Sequence, residues 1–425
     1  MANLIIRNVG PITEAKLDLN KVNVFMGPQS SGKSTIAKII SQCCWYEKKH
    51  LLTGEKYDFY RGLLDFHRLD EGYFSDNSEI IYVSQWITIS CNGKKLKTAI
   101  KKNKIDNEIY KNLKIEYIPA ERNFAAAIPN LQEYNKIYDN IVNFLFDWMD
   151  FKELITKTKN YNSPLESLKI EYKYDSKTKE DVLTLPNRKK ISLQRSSSGQ
   201  QSLTPLLVVC EYLFSELYNQ KRNPSPIESK HIRNLLPDEL KIEYNWVIET
   251  QNFQQNTNKR ESEKLIEETK RKIWEKIGFS TDYAFSNVII EEPEQNLFPE
   301  TQKELIYHLM NKVVNGDHKL TITTHSPYIL YALNNCMMGY LVKENMPEDE
   351  KNELLSKNSW IDPKLVSVWE IKENEGIKEN EENTRLIKNT DTGTISKHYF
   401  NRIMNDVMEE YYDMLTYLKV ENHEG

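Results

Sequence analysis

The sequence predicts an α/β fold built on a parallel sheet, with an antiparallel β-subdomain and a helical insertion attached. Three stretches predict it. "FMGPQSSGKST" at residues 25–35 lies between a short β-branched strand, "KVNVF", and a helical stretch, "STIAKIISQCCW". "NVIIEEPE" at 287–294 is an apolar strand that stops on carboxylates. "KLTITTHSP" at 319–327 has the same form and stops on Thr324, His325 and Ser326. Short, continuously apolar strands belong in a sheet covered on both faces, and their C-terminal ends converge on one edge.

The elements follow in order. The opening stretch to residue 27 alternates apolar and polar residues around Gly10-Pro11, which reads as a hairpin leading into a strand. The loop after that strand fits G-x-x-x-x-G-K-[ST] through Gly27, Gly32, Lys33 and Ser34. Its backbone N–H groups can cradle phosphate, and the helix that follows adds positive potential at its N-terminus. Lys33 is placed to reach β- and γ-phosphates, and Ser34 to put its hydroxyl on Mg²⁺. The whole loop, Gly27, Pro28, Gln29, Ser30, Ser31, Gly32, Lys33, Ser34 and Thr35, is the expected nucleotide cradle.

Residues 80–118 hold short strands separated by "GKKLKTAIKKNK". Its six lysines read as a solvated hairpin and helix face, or as a phosphate-backbone contact. Helical periodicity runs through 124–165, a polar hairpin follows, and 203–219 reads as an apolar helix. Residues 220–280 turn rich in Lys, Glu, Asn and Gln, with charge pairs at i, i+4, and predict a helical insertion projecting from the core. The last ninety residues contain an acidic loop, "KENEGIKENEENT", and an amphipathic helix from about residue 395 to 419.

Composition narrows the class. With 57 Lys plus Arg against 62 Asp plus Glu, the net charge of −5 argues against a dedicated nucleic-acid coat and leaves room for a local basic face. A hydrophobic content of 39% with 24 Tyr and 14 Phe is too high for a disordered chain. The five cysteines include no C-x-x-C pair, which points to buried thiols in a reducing compartment. No leader-like or membrane-spanning stretch is visible, so a cytoplasmic protein without a membrane partner is expected.

Chemistry is expected at three further places. Glu291 can hold Mg²⁺, and Glu292 can orient the attacking water. His325, at its strand end, can contact the γ-phosphate. "SSSGQ" at 196–200 opens an apolar helix, and Ser197, Ser198, Gly199 and Gln200 suit a second γ-phosphate contact. The plainer reading makes these serines a helix cap.

In that order, "GPQSSGKST", "SSSGQQS", "VIIEEPE" and "TTHSP" resemble the Walker A, signature, Walker B and switch-histidine motifs of ABC-type ATPases. Ser198 stands in place of the first signature glycine. "YIPAER" at 117–122 falls where the Q-loop ends a strand, with Ala120 in the glutamine's place; Gln85, Glu121 and Arg122 are the candidates for its role. The finer resemblance is to the RecF/SMC/OLD-like branch, the AAA-15 and AAA-21 groups, several of which serve anti-phage systems of the PARIS, Septu, retron-associated and OLD types. It covers roughly residues 1–45, 110–125, 190–218 and 284–335.

The resemblance implies a head that binds ATP and Mg²⁺ and closes nucleotide between two copies, as a homodimer or higher oligomer. It implies an N-terminal ATPase lobe at 1–123 and a helical and hairpin region at 124–219. An insertion serving as assembly or partner arm follows at 220–280. A second ATPase lobe spans 281–335, and a C-terminal region spans 336–425. For an OLD-type nuclease module the stretch after His325 is short. A sensor or scaffold for a separate nuclease or toxin from a neighbouring gene is therefore expected, with DNA or a phage protein as trigger. A repair or chromosome clamp is the alternative. A transporter subunit fits worse, because the insertion before Walker B is long.

Overall fold

The chain begins with an antiparallel pair, β1 (Ala2–Val9) and β2 (Ile12–Leu19), and returns at once into β3 (Val22–Met26). The computed structural model describes residues 2–93, 97–102, 108–127, 138–157, 159–219, 222, 224–253, 259–372 and 382–415. Helix α1 (Lys33–Thr53) follows the glycine loop. Strands β4 (Phe74–Val83), β5 (Ile87–Asn92), β6 (Lys97–Lys102) and β7 (Tyr110–Ile118) come next. Then come α2 (Asn140–Thr156), β8 (Tyr161–Asn162), β9 (Glu171–Asp175), β10 (Glu180–Thr184) and β11 (Lys190–Ser192). Helix α3 (Ser198–Glu211) precedes three consecutive helices, α4 (Pro226–Leu235), α5 (Asp238–Phe253) and α6 (Lys259–Ile277). The chain then alternates through β12 (Phe279–Glu291), α7 (Pro299–Val314), β13 (Lys319–Thr324) and α8 (Pro327–Val342). It finishes with β14 (Val366–Ile371), β15 (Thr384–Leu386) and α9 (Tyr399–Leu415).

Three sheets result, so the molecule is mixed α/β. The central one has the order β15-β14-β3-β13-β12-β7, and only β15 runs antiparallel to its neighbour. A five-stranded antiparallel sheet, β2-β1-β4-β5-β6, and a four-stranded one, β11-β10-β9-β8, flank it. Strand β3 alternates between two cores: Val22, Val24 and Met26 point into one and Phe25 into the other. The first core is closed by α2, α3, α7 and α8. The second lies between α1, the five-stranded sheet and the three consecutive helices.

Several expectations are revised. The polar hairpin near residues 170–195 is the four-stranded sheet. The lysine-rich stretch supplies strand β6, which forms the expected hairpin with β5, and among the described residues it gives no helix face; Lys94, Lys95 and Lys104 lie outside the described residues. Among the described residues the insertion, expected to project, is docked on the core instead. Ile232, Leu236, Tyr244, Ile273 and Ile277 are buried in the second core, and His231 stacks on Phe279 with ring centres 6.0 Å apart. Apolar residues hidden among its many charges outweigh the charge pattern. The C-terminal region contributes to the central sheet, because β14 pairs in parallel with β3 from Val366 to Glu370. Most of the acidic loop lies outside the described residues. The final helix starts at Tyr399, later than expected.

Candidate nucleotide site

Strands β3, β12 and β13 end side by side, so the loops after them share one edge of the sheet. The loop after β3 is held open by two glycines in the positive-φ region. Gly27 stands at φ 150° and Gly32 at φ 102°. A Cβ on Gly27 would come within 2.4 Å of the Ile371 carbonyl oxygen, so β14 packs directly against the loop. Gly32 is the N-cap of α1, a 21-residue helix with no side-chain cap. Its first N–H groups are left free for an anion.

Lys33 is buried. Its Nζ donates to the carbonyl oxygens of Gly27 (3.0 Å) and Pro28, and to Ser31 Oγ (3.4 Å). Burial pulls its pKa down to about 8, and Glu292 and Glu294 oppose that shift. The cleft around it measures about 330 Å³. Gln29, Ser30, Gly32, Lys33, Ser34 and Thr35 line it from the loop, Glu292 and His325 from the facing strand ends, and Pro11 and Tyr73 from the side.

Glu292 and His325 form a pair, with Oε1 and Nε2 3.1 Å apart. That hydrogen bond holds the Glu292 carboxyl below its ordinary pKa, against the effect of burial. Glu292 reaches the cleft because its backbone is left-handed, at φ 43°, which a residue with a Cβ adopts only under constraint. Arg122 supplies the constraint. It is 1% exposed. Nη1 donates to the Glu291 carbonyl at 2.8 Å and Nη2 to the Glu292 carbonyl at 2.7 Å. Burial lowers its pKa to about 10. Glu294 holds the other half of the pair: its Oε1 accepts from the His325 backbone N–H at 2.6 Å and from Thr324 Oγ1 at 2.8 Å.

Glu291 and Glu292 face different surroundings. Glu291 is buried; Tyr117 donates to its Oε1 at 2.5 Å and the Ala120 N–H to its Oε2 at 3.3 Å. It does not line the cleft, whereas Glu292 does. A Mg²⁺ ion takes oxygen ligands, and the Ser34 hydroxyl and Glu292 carboxylate are among the oxygens that line the cleft. That donor set fits the ion.

Ser197, Ser198, Gly199 and Gln200 lie elsewhere. Ser197 and Ser198 are exposed, and none of the four lines the cleft. Ser197 caps α3 in a reciprocal box with Gln200, at 3.4 and 3.3 Å. The stretch is a helix cap, as the plainer reading has it, and a cap of this kind leaves Ser198 facing water. A Cβ on Gly199 would lie 2.8 Å from the Asn296 carbonyl oxygen, so α3 begins against the loop that follows Glu292. Of the Q-loop candidates, Arg122 touches the site; Gln85 instead bonds Glu108, and Glu121 pairs with Arg68 at 3.7 Å.

Glu294 and Tyr73 are site residues that the sequence reading missed. The third carboxylate of "EEPE" was a visible signal for Glu294. For Tyr73 there was none, since it follows the loop by some forty residues and enters the cleft by packing its ring on Gly10.

No family model and no curated protein matches the chain. Solved structures similar to it include an SMC head domain from Thermotoga maritima, at 12% identity and TM-score 0.34, spanning 78% of this chain and 90% of that one. A Pyrococcus furiosus Smc head with an extended coiled coil, bound to the C-terminal domain of ScpA, aligns at 7% identity and TM-score 0.40 over 97% and 100%. An SmcHead bound to the C-winged helix domain of ScpA aligns at 9% and 0.34 over 78% and 90%.

Proposed function

We propose that the chain is an ABC-type ATPase head that hydrolyses ATP between two copies of itself. The observation that carries this is the Glu292–His325 pair facing Lys33 and Ser34 across one cleft, while the exposed Ser197 and Ser198 lie outside it. In this reading the glycine loop and the α1 N-terminus bind the phosphates. Lys33 exchanges its contacts with the Gly27 and Pro28 carbonyls for phosphate oxygens, which raise its lowered pKa and hold its positive charge to higher pH. Ser34 and a carboxylate would hold Mg²⁺, which supplies charge neutralisation along the phosphates. Glu292 orients the water, and His325 holds Glu292 in the ionised form that can accept its proton. Tyr73 and Pro11 offer an apolar wall at the cleft mouth for a base. The partner's Ser198 and the start of its α3 would complete the site from outside.

The finer reading is a sensor or scaffold in an anti-phage system that controls a separate nuclease or toxin. It is supported by the motif resemblance alone. The test is phage challenge of cells that carry this gene alone, or with its neighbouring gene. Protection should need both genes and vanish with Lys33→Ala. Full protection by this chain alone, or DNA cleavage by the purified protein, would exclude that division of labour. A clamp of RecF or SMC type remains the second reading, and the docked, short insertion does not favour it.

A further inference from the structure

Helix α9 has no buried residue along its 17 positions. Its root is fixed. Tyr399 N–H donates to Glu370 Oε1 at 2.6 Å, Asn401 donates to the Tyr331 hydroxyl at 3.3 Å, and Tyr399 and Phe400 pack on the first core. Beyond that root the helix leaves its own protein. Met404 is 60% exposed, Val407 57%, Tyr411 53% and Met414 60%.

These residues have a repeat. Phe400, Met404, Val407, Tyr411 and Met414 are spaced four, three, four and three apart. That is the a/d spacing of a heptad, with Met404 and Tyr411 at a and Phe400, Val407 and Met414 at d. The four-three alternation keeps these five side chains in one seam through two heptads, and Ile403, Met408 and Leu415 at the flanking e and g positions widen it into an apolar face. A second helix is the occupant that such a seam fits.

The charges say which helix. Asp406 and Asp413 fall at c, and Glu409 and Arg402 at f, all on the back of the helix. The positions flanking the seam are Asn401, Met408 and Leu415 at e, and Ile403 and Glu410 at g. A basic partner helix would find the carboxylates on the wrong side. Across a parallel pair of identical helices, Glu410 at g meets Leu415 at e, so two copies bring no like charges together.

We infer that α9 pairs with α9 of a second copy and joins two chains without nucleotide. Two heptads make a weak coil. Their effect is to raise the local concentration of the second head, whose exposed Ser198 the cleft of the first would need. That consequence rests on the ATPase reading; the pairing itself does not.

The experiment is sedimentation of the full-length chain with no nucleotide, in a concentration series that reaches the range in which a weak coil pairs. The parent should run as a dimer, and so should Lys33→Ala, which separates this outcome from the fate of the ATPase reading. Val407→Asp with Tyr411→Asp should run as a monomer with an unchanged melting temperature. The back-face pair Asp406→Asn and Asp413→Asn should remain a dimer. Met404→Ile with Tyr411→Ile, which places β-branched residues at a, should tighten the dimer about tenfold or more. Misfolding cannot produce that gain. A monomeric parent would mean that α9 has another occupant and would overturn the proposal. So would a seam variant that still dimerises, or a back-face variant that does not.

Discussion

Glu292 occupies a left-handed backbone position that costs of the order of 1–3 kcal/mol for a residue with a side chain. The cost is sustained because Arg122 ties down both carbonyls of the turn and Glu294 ties down the opposite strand end. If Glu292 orients the attacking water, Glu292→Gln keeps its shape and hydrogen bonds but loses the base. ATP binding should persist while turnover falls by about a hundredfold or more, read as kcat with separately measured nucleotide affinity. Equal kcat in the Gln variant would remove Glu292 from the mechanism.

Lys33 gives a second test at the residue scale. Its folded pKa, about 8, lies below that of an exposed lysine. Between about pH 8 and 10.5 the unfolded chain binds the extra proton, so this group adds stability as pH rises and opposes folding in full below 8. Phosphate binding works in the opposite direction, because it favours charged Lys33. Nucleotide affinity should therefore fall as pH rises through about 8, with proton uptake on binding at pH 9. Calorimetry in buffers of different ionisation enthalpy reads that uptake, and Lys33→Met should abolish it.

At the scale of elements, the starts of α1 and α3 are built differently. Helix α1 opens on a glycine with free N–H groups, and α3 opens on a reciprocal Ser197–Gln200 cap wedged against Asn296. Gly199→Ala would drive a Cβ to 2.8 Å from a backbone oxygen that cannot rotate away. It should destabilise the fold by about 1–3 kcal/mol, read from denaturant midpoints, and displace the loop after Glu292. An unchanged midpoint would mean that this junction is slack.

The same elements show what a sequence can carry. The glycine loop, the strand ending at Glu291 and the strand ending at Thr324 were all legible, because local chemistry and apolar runs define them. Which of two adjacent glutamates faces the cleft was not, since strand alternation stops at Glu291 and the φ of Glu292 depends on Arg122, 170 residues away. Strand β14 was equally hidden. Its apolar residues announce a strand, but only tertiary pairing places it beside β3 and against Gly27. The insertion misled because charge pairs on the exposed faces of its helices mask the few buried positions that dock it.

At the scale of the whole molecule, the cleft and the exposed signature stretch pose a question of connectivity. Ser197 and Ser198 stand outside the site that holds Lys33, Glu292 and His325. On the ATPase reading, one chain would offer two unmatched half-sites, and two chains related by a two-fold axis would match both pairs at once. Lys33→Ala disables the cleft and leaves the signature intact. Ser198→Arg leaves the cleft intact and places a long charged side chain where the opposite phosphate would approach. Each variant alone should be inactive, since every composite site in its homodimer contains one damaged half. In a mixed dimer one site receives both lesions and the other receives none. About half of the parent turnover per dimer should return if the two sites fire independently. Co-expression with two different tags and tandem purification isolates the mixed species. Absence of recovery in that species would mean that the cleft closes within one chain, or that both sites must fire together. A Lys33→Ala subunit paired with an unmodified one distinguishes these cases, because that dimer regains half of the parent activity only when the sites are independent.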